Sequence, residues 1–122
     1  MRPHEKLDVW EKSIDLVVLI YKATETFPKE EKFGLTSQIR RAAVSVPANI
    51  AEGAGRRFEK EFAYFLSNAQ GSTSEVETEL LIAHRLGYLN RKVFDELQTS
   101  LDKIGQMLHG LARHVRTKIR EP

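Results

Sequence analysis

Residues Leu35 to Arg57 read LTSQIRRAAVSVPANIAEGAGRR, and this stretch decides the fold. Leu35, Ile39, Ala42, Ala43, Val46 and Ile50 recur at three- and four-residue steps, the spacing that lines up side chains on one side of an α-helix. Gln38, Arg41, Ser45, Asn49, Glu52 and Arg56 recur at similar steps on a second face, flanked by Arg40. The first stripe suits a core. The second is polar and requires water, a partner helix or a partner molecule. Pro47 lies far from both ends, deletes one backbone donor and crowds the carbonyl of Ala43, so a kink is predicted there. Ser45 and Asn49 flank it and are expected to bond backbone groups that the kink exposes; the alternative makes Asn49 and Glu52 a ligand or subunit-contact site. Gly53 and Gly55 read as the helix stop, with Arg56 and Arg57 at the negative end of its dipole.

Working outward, a first helix is predicted over about residues 7–26, with Leu7, Trp10, Ile14, Val17 and Tyr21 as its stripe. Val9, Leu16, Val18, Leu19 and Ile20 widen that stripe until the second half is apolar nearly all round, which predicts self-association. Phe27 and Pro28 end the helix, and Lys29 to Lys32 with Gly34 form a loop. After the second helix, over about residues 35–53, a third is predicted over about 59–86 through Phe62, Phe65, Leu66, Ala69, Val76, Leu80 and Ala83. Its middle is small: Gly71, Ser72, Thr73 and Ser74. Glycine there costs about 1 kcal/mol relative to alanine, so a close crossing against Ala42, Ala43 and Ala48 is predicted. Glu75, Glu77 and Glu79 read as a solvated charge run, with room for one pair to Arg41. Gly87 closes the third helix and Asn90 caps a fourth over about 91–119. Phe94, Leu97, Leu101, Ile104, Leu108, Leu111 and Val115 form its stripe, while Gly105 and Gly110, like Gly71, suggest tight packing. Four amphipathic segments without a strand signal make residues 1–122 a single all-α domain, an antiparallel up-down-up-down four-helix bundle.

The chain has 122 residues and no cysteine, which removes disulfides, thiolate zinc sites and cysteine nucleophiles. No apolar run approaches the roughly 20 residues that span a bilayer. The N-terminus MRPHEKLD has neither an apolar signal core nor a cleavage site, so no membrane association and a cytoplasmic location are expected. Glu-x-x-His on paired helices is absent, since Leu81 stands three residues before His84. His109 and His114 are five apart, and neither a P-loop nor GxSxG occurs. The chain is therefore read as no enzyme, with no catalytic residue, metal site or cofactor assigned.

The run FPKEEKFGLTSQIRRAAVSVPANIAEGAGRR, followed by EFAYFLSNAQGSTSEVETELLIAHRLGYL, resembles the four-helix bundle proteins encoded in intervening sequences of bacterial 23S rRNA genes. The resemblance covers essentially the whole chain and rests on SVPANIAEG and GS-x-x-E-x-E; Val76 stands where such sequences usually carry leucine. It implies a left-handed bundle, assembly as a homopentamer, and a distant similarity to accessory variability proteins of diversity-generating retroelements, which are linked to nucleic acid and a reverse transcriptase. Position by position it marks Arg40, Arg41, Ser45, Asn49, Glu52, Gly53 and Arg56 on the second segment, beside the kink residue Pro47, and Gly71, Ser72, Glu75 and Glu77 on the third. These residues are structural first, and a subunit interface second, where a buried Arg and Glu would have to pair.

Net charge is only +2, but His109 to Pro122 holds Arg113, Arg116, Lys118 and Arg120 against Glu121 alone, a surplus of three that leaves the rest at −1. Two function classes follow. One is an oligomeric accessory protein binding RNA or DNA through Arg56, Arg57, Lys60 and the basic end at Arg113, Arg116, Lys118 and Arg120. No Phe, Tyr or Trp is read as lying among these basic residues, so base stacking and sequence readout are not expected and the contact is expected to be mostly electrostatic. The other is a protein-interaction or scaffold module with a protein partner and no direct nucleic-acid role. In the predicted topology the second and fourth helices end at the same pole, so their basic residues are expected to share it.

Overall fold

The computed structural model describes residues 2–119, so Arg120 lies outside the described residues. Four α-helices follow a short 3-10 turn at Pro3–Lys6: α1 (Asp8–Thr24), α2 (Leu35–Ala54), α3 (Glu59–Arg85) and α4 (Arg91–Thr117), with a second 3-10 turn at Lys29–Glu31. Contacts run α1 to α2, α2 to α3, α3 to α4 and α4 back to α1; among the described residues the diagonal pairs do not touch. That closed square is the up-down-up-down four-helix bundle. The α2–α3 seam is the most extensive, and no strand occurs among the described residues.

The core stripe of α2 is the one its spacing indicates: Leu35, Ile39, Ala42, Ala43, Val46 and Ile50 are all buried. The helix runs unbroken through a buried Pro47. Ser45 Oγ donates to the Arg41 carbonyl at 3.2 Å and Asn49 Nδ2 to the Ser45 carbonyl at 2.8 Å, so both bond the backbone but neither reaches the Ala43 carbonyl that Pro47 deprives of a donor.

Helix α1 is rotated from its expected setting. Its buried positions are Val9, Ser13, Leu16, Ile20 and Thr24, while Leu7, Trp10 and Val17 only lean on the core and Tyr21 is 41% exposed. Two hydroxyls inside the stripe hid this phase. Ser13 Oγ donates to the Trp10 carbonyl at 2.7 Å and Thr24 Oγ1 to the Ile20 carbonyl at 2.8 Å, which lets both residues stand in the core. In α3, Leu66, Ala69, Ser72, Val76, Leu80 and Ala83 are buried, with Phe62 packed against them. Helix α4 buries its expected stripe except at Leu111, which is half-buried while the neighbouring Ala112 is buried.

The glycines reverse expectation. A Cβ added at Gly71, Gly105 or Gly110 would meet nothing within 4 Å, so none marks a close crossing. Gly53 does. It lies inside α2 rather than at its stop, and an added Cβ would sit 2.8 Å from Phe65 Cβ and 2.9 Å from Phe62 Cδ1 of α3. Gly55 is the C-cap of α2. Helix α3 ends in a Schellman turn about Gly87 at φ +84, with the Tyr88 amide donating to Ala83 O and the Gly87 amide to His84 O. Asn90 caps α4, its Oδ1 accepting from the Val93 amide at 2.8 Å.

Candidate functional site

Antiparallel packing puts the end of α2, the start of α3 and the end of α4 at one pole. Arg56 and Arg57 follow the C-cap of α2, and Phe58 opens α3. Arg57, Lys60, Arg113, Arg116 and Lys118 are all exposed. They occupy the termini of their helices because charged side chains there reach water and, on α2 and α4, offset the C-terminal dipoles.

Arg56 differs from its neighbours. Its guanidinium pairs with Glu52 at 2.5 Å, lies 4.0 Å from Glu61 and stacks over Phe65 at 4.8 Å. Two carboxylates already balance it, and it acts as a brace between α2 and α3 more than as a free cation. The expected pair between Arg41 and a third-helix carboxylate does not form among the described residues; Arg41 is exposed and unpaired. Nor do Arg40 and a glutamate make a buried pair. Arg40 instead binds α1: Nε donates to Thr24 Oγ1 at 2.9 Å, Nη2 to the Tyr21 carbonyl at 3.2 Å, and the guanidinium lies 4.5 Å over the Tyr21 ring.

Aromatic residues do stand among the basic ones. Phe58, between Arg57 and Lys60 in sequence, is 60% exposed, and Tyr64 is 62% exposed. Arg57 lies 5.4 Å from the Phe58 ring centroid, and a shallow groove of about 340 Å³ is lined by Arg56, Lys60, Glu61, Tyr64 and Phe65. The signal was in the sequence: Tyr64 falls outside the apolar phase of Phe62 and Leu66, and Phe58, though in phase with them, is the N-cap residue that precedes the first turn. On α4, Arg113 Nη2 lies 3.1 Å from His109 Nε2, while the Lys118 amide donates to the Val115 carbonyl and the Arg116 carbonyl accepts from the Ile119 amide.

On α3, Ser72 is buried, Glu75 and Glu77 are exposed, and Glu79 is half-buried with Oε1 enclosed and without a hydrogen-bond partner among the described residues. Burial first, and the nearby Glu75 second, raise the Glu79 carboxyl above its ordinary value. Among the described residues no cluster of three metal-ligating side chains occurs, and no helix is long and apolar enough to cross a membrane.

The family described as 23S rRNA-intervening sequence protein matches residues 5–110. A solved structure of a protein with unknown function from the S23 ribosomal protein family of Bacteroides thetaiotaomicron is similar at 23% identity and a TM-score of 0.79, covering 86% of this chain and 95% of that one. At that identity the likeness establishes the fold. No curated protein matches the chain.

Proposed function

The chain belongs to the 23S rRNA-intervening sequence protein family, and we propose that it is a non-enzymatic, self-associating bundle, a homopentamer, that binds RNA or DNA at the pole where α2 and α4 end. The observation that carries this reading is the exposure there of Arg57 and Lys60 beside the solvent-facing rings of Phe58 and Tyr64. Cations on their own bind phosphates without discrimination, whereas exposed rings beside them add stacking on unpaired bases, worth about 1–3 kcal/mol per base. Single-stranded segments are therefore preferred over duplex. Arg113, Arg116 and Lys118 at the end of α4 extend the phosphate-binding surface, and repetition of the pole around an oligomer multiplies each weak contact.

Fluorescence anisotropy with single-stranded RNA and duplex DNA across a salt series tests this. Binding should fall steeply with salt, and Arg57→Glu with Lys60→Glu should weaken it about tenfold or more at low salt while the melting temperature holds. Phe58→Ala with Tyr64→Ala should lower affinity for the single strand more than for the duplex. Absence of binding by the intact oligomer at low salt would sink the reading. A protein-interaction module is the second reading, favoured by the apolar side chains left open at Val18, Leu19, Ile82 and Leu86.

A further inference from the structure

The opposite pole, where α1 ends and α2 begins, holds a recess of about 360 Å³ lined by Tyr21, Lys32, Phe33, Thr36, Ser37, Arg40 and Arg41. Three of these side chains are cationic, and no carboxylate lines it. Arg40 is half-buried, yet among the described residues its guanidinium is in no ion pair; its bonds go to a hydroxyl and a carbonyl. A partly desolvated guanidinium with donors to spare and no counter-charge is an anion receptor.

The backbone points the same way. Helix α2 has no acidic residue in its first turn and no side-chain cap on Gly34. Glu31 Oε1 accepts from the Leu35 amide at 3.1 Å, but the amides of Thr36 and Ser37 make no hydrogen bond among the described residues. Free first-turn amides of a long helix favour an oxyanion. Independently, Thr36 is only 8% exposed and its hydroxyl has no partner among the described residues. Thr36 lines both this recess and an adjoining one of about 230 Å³ that shares Lys32 and Arg40. A buried hydroxyl without a partner is costly, and a rotation of the Thr36 side chain toward the recess would let it donate to a bound oxyanion. The nearby carboxylates do not neutralise the cations: Glu31 is engaged with Leu35 and, through Oε2, with the Tyr88 hydroxyl, and Glu25 lines only the adjoining recess.

At the rim Phe33 is 90% exposed, with Lys32 Nζ 5.4 Å from its ring centroid. We propose that this recess is a nucleotide-phosphate site: Lys32, Arg40, Arg41 and the first turn of α2 hold the phosphate, and the base stacks on Phe33. The site is separate from the Arg57–Lys60 pole, since the 20 residues of α2 span about 30 Å at 1.5 Å each. It therefore stands or falls independently of the nucleic-acid reading.

The test is a titration of the full-length protein with AMP, inorganic phosphate and adenosine, followed by calorimetry and by the backbone amide resonances of Thr36 and Ser37. AMP should bind saturably at one per chain and shift both amides, phosphate more weakly, and adenosine not measurably. Lys32→Glu with Arg41→Glu, both at exposed positions, should cut AMP affinity at least tenfold; Phe33→Ala should weaken AMP but leave phosphate unchanged. Arg57→Glu with Lys60→Glu should alter neither. A 5′-phosphorylated oligonucleotide that competes with AMP better than its unphosphorylated twin would make the natural source a strand end; equal competition by both would make it a free nucleotide. The proposal is overturned if AMP does not saturate, if the Lys32 and Arg41 reversals leave its affinity intact, or if binding follows the Arg57 and Lys60 reversals instead.

Discussion

A methyl group added at Gly53 would press on Phe65 Cβ at 2.8 Å and on the Phe62 carbonyl at 3.3 Å, contacts that only a shift of α3 could relieve. Gly53→Ala should therefore destabilise the bundle by about 1–3 kcal/mol, the usual cost of overpacking. Gly71 is the opposite case: it is exposed, mid-helix, and open around the missing side chain. Gly71→Ala should stabilise by up to about 1 kcal/mol through helix propensity alone. Denaturant midpoints of the two variants should move in opposite directions, and a loss of stability in both would refute this assignment of the close crossing. Glu79 gives a prediction in pH. Its carboxyl is raised from an ordinary value of 4.5 because the charged form is desolvated and faces Glu75. A raised acid costs nothing while protonated in both states and costs stability once pH climbs past the unfolded value toward the folded one. Glu79→Gln should thus be more stable than the parent at neutral pH, with the gain vanishing below about pH 4. A gain that is independent of pH would assign the effect to something other than charge.

At the level of elements, the lock between α1 and α2 is Arg40, which reads the last turn of α1 through the Tyr21 carbonyl and the Thr24 hydroxyl. Hydrogen bonds from a charged donor contribute about 1.5–3 kcal/mol, so Arg40→Ala should lower stability in that range. A double-mutant cycle with Thr24→Val should show a coupling above about 0.5 kcal/mol; additive losses would mean that the two side chains act separately. This contact also shows what a sequence conceals. Helix existence, the stripes of α2 and α4, the Gly87 stop and the Asn90 cap were legible because each rests on local spacing or local chemistry. The phase of α1 was not, because Ser13 and Thr24 satisfy their hydroxyls on their own helix and occupy core positions that apolar periodicity assigns elsewhere. Glu31 escaped notice for a related reason. It lies in a charged loop that looks solvated, yet it ties the start of α2 to Tyr88 in the α3–α4 turn, a relation across 57 residues that no spacing rule reports. Of the candidate site, the basic residues were legible by type, but whether each was free depended on tertiary neighbours, which spend Arg56 and leave Arg57 exposed.

For the whole molecule, the decisive matter is what one 14.0 kDa chain leaves uncovered. Arg40 packs on Tyr21, so one turn along each helix in the antiparallel direction brings Val18 and Val44 to the same seam. They are 48% and 43% exposed, beside Tyr21 at 41%. An exposed apolar strip where two helices meet is an expensive surface for a monomer and a natural one for contact between copies. The native mass should accordingly be a multiple of the chain mass. Val18→Glu with Val44→Glu should yield monomers that keep their helical circular dichroism, because neither valine belongs to the core. The same variant links assembly to function. If the basic pole acts by repetition, monomers should lose one to two orders of magnitude or more in nucleic-acid affinity although every cation is intact. Measured together by sedimentation and anisotropy, dispersal with unchanged affinity would separate the two properties and leave each pole to work alone; a parent protein that sediments as a single chain would remove the interface altogether.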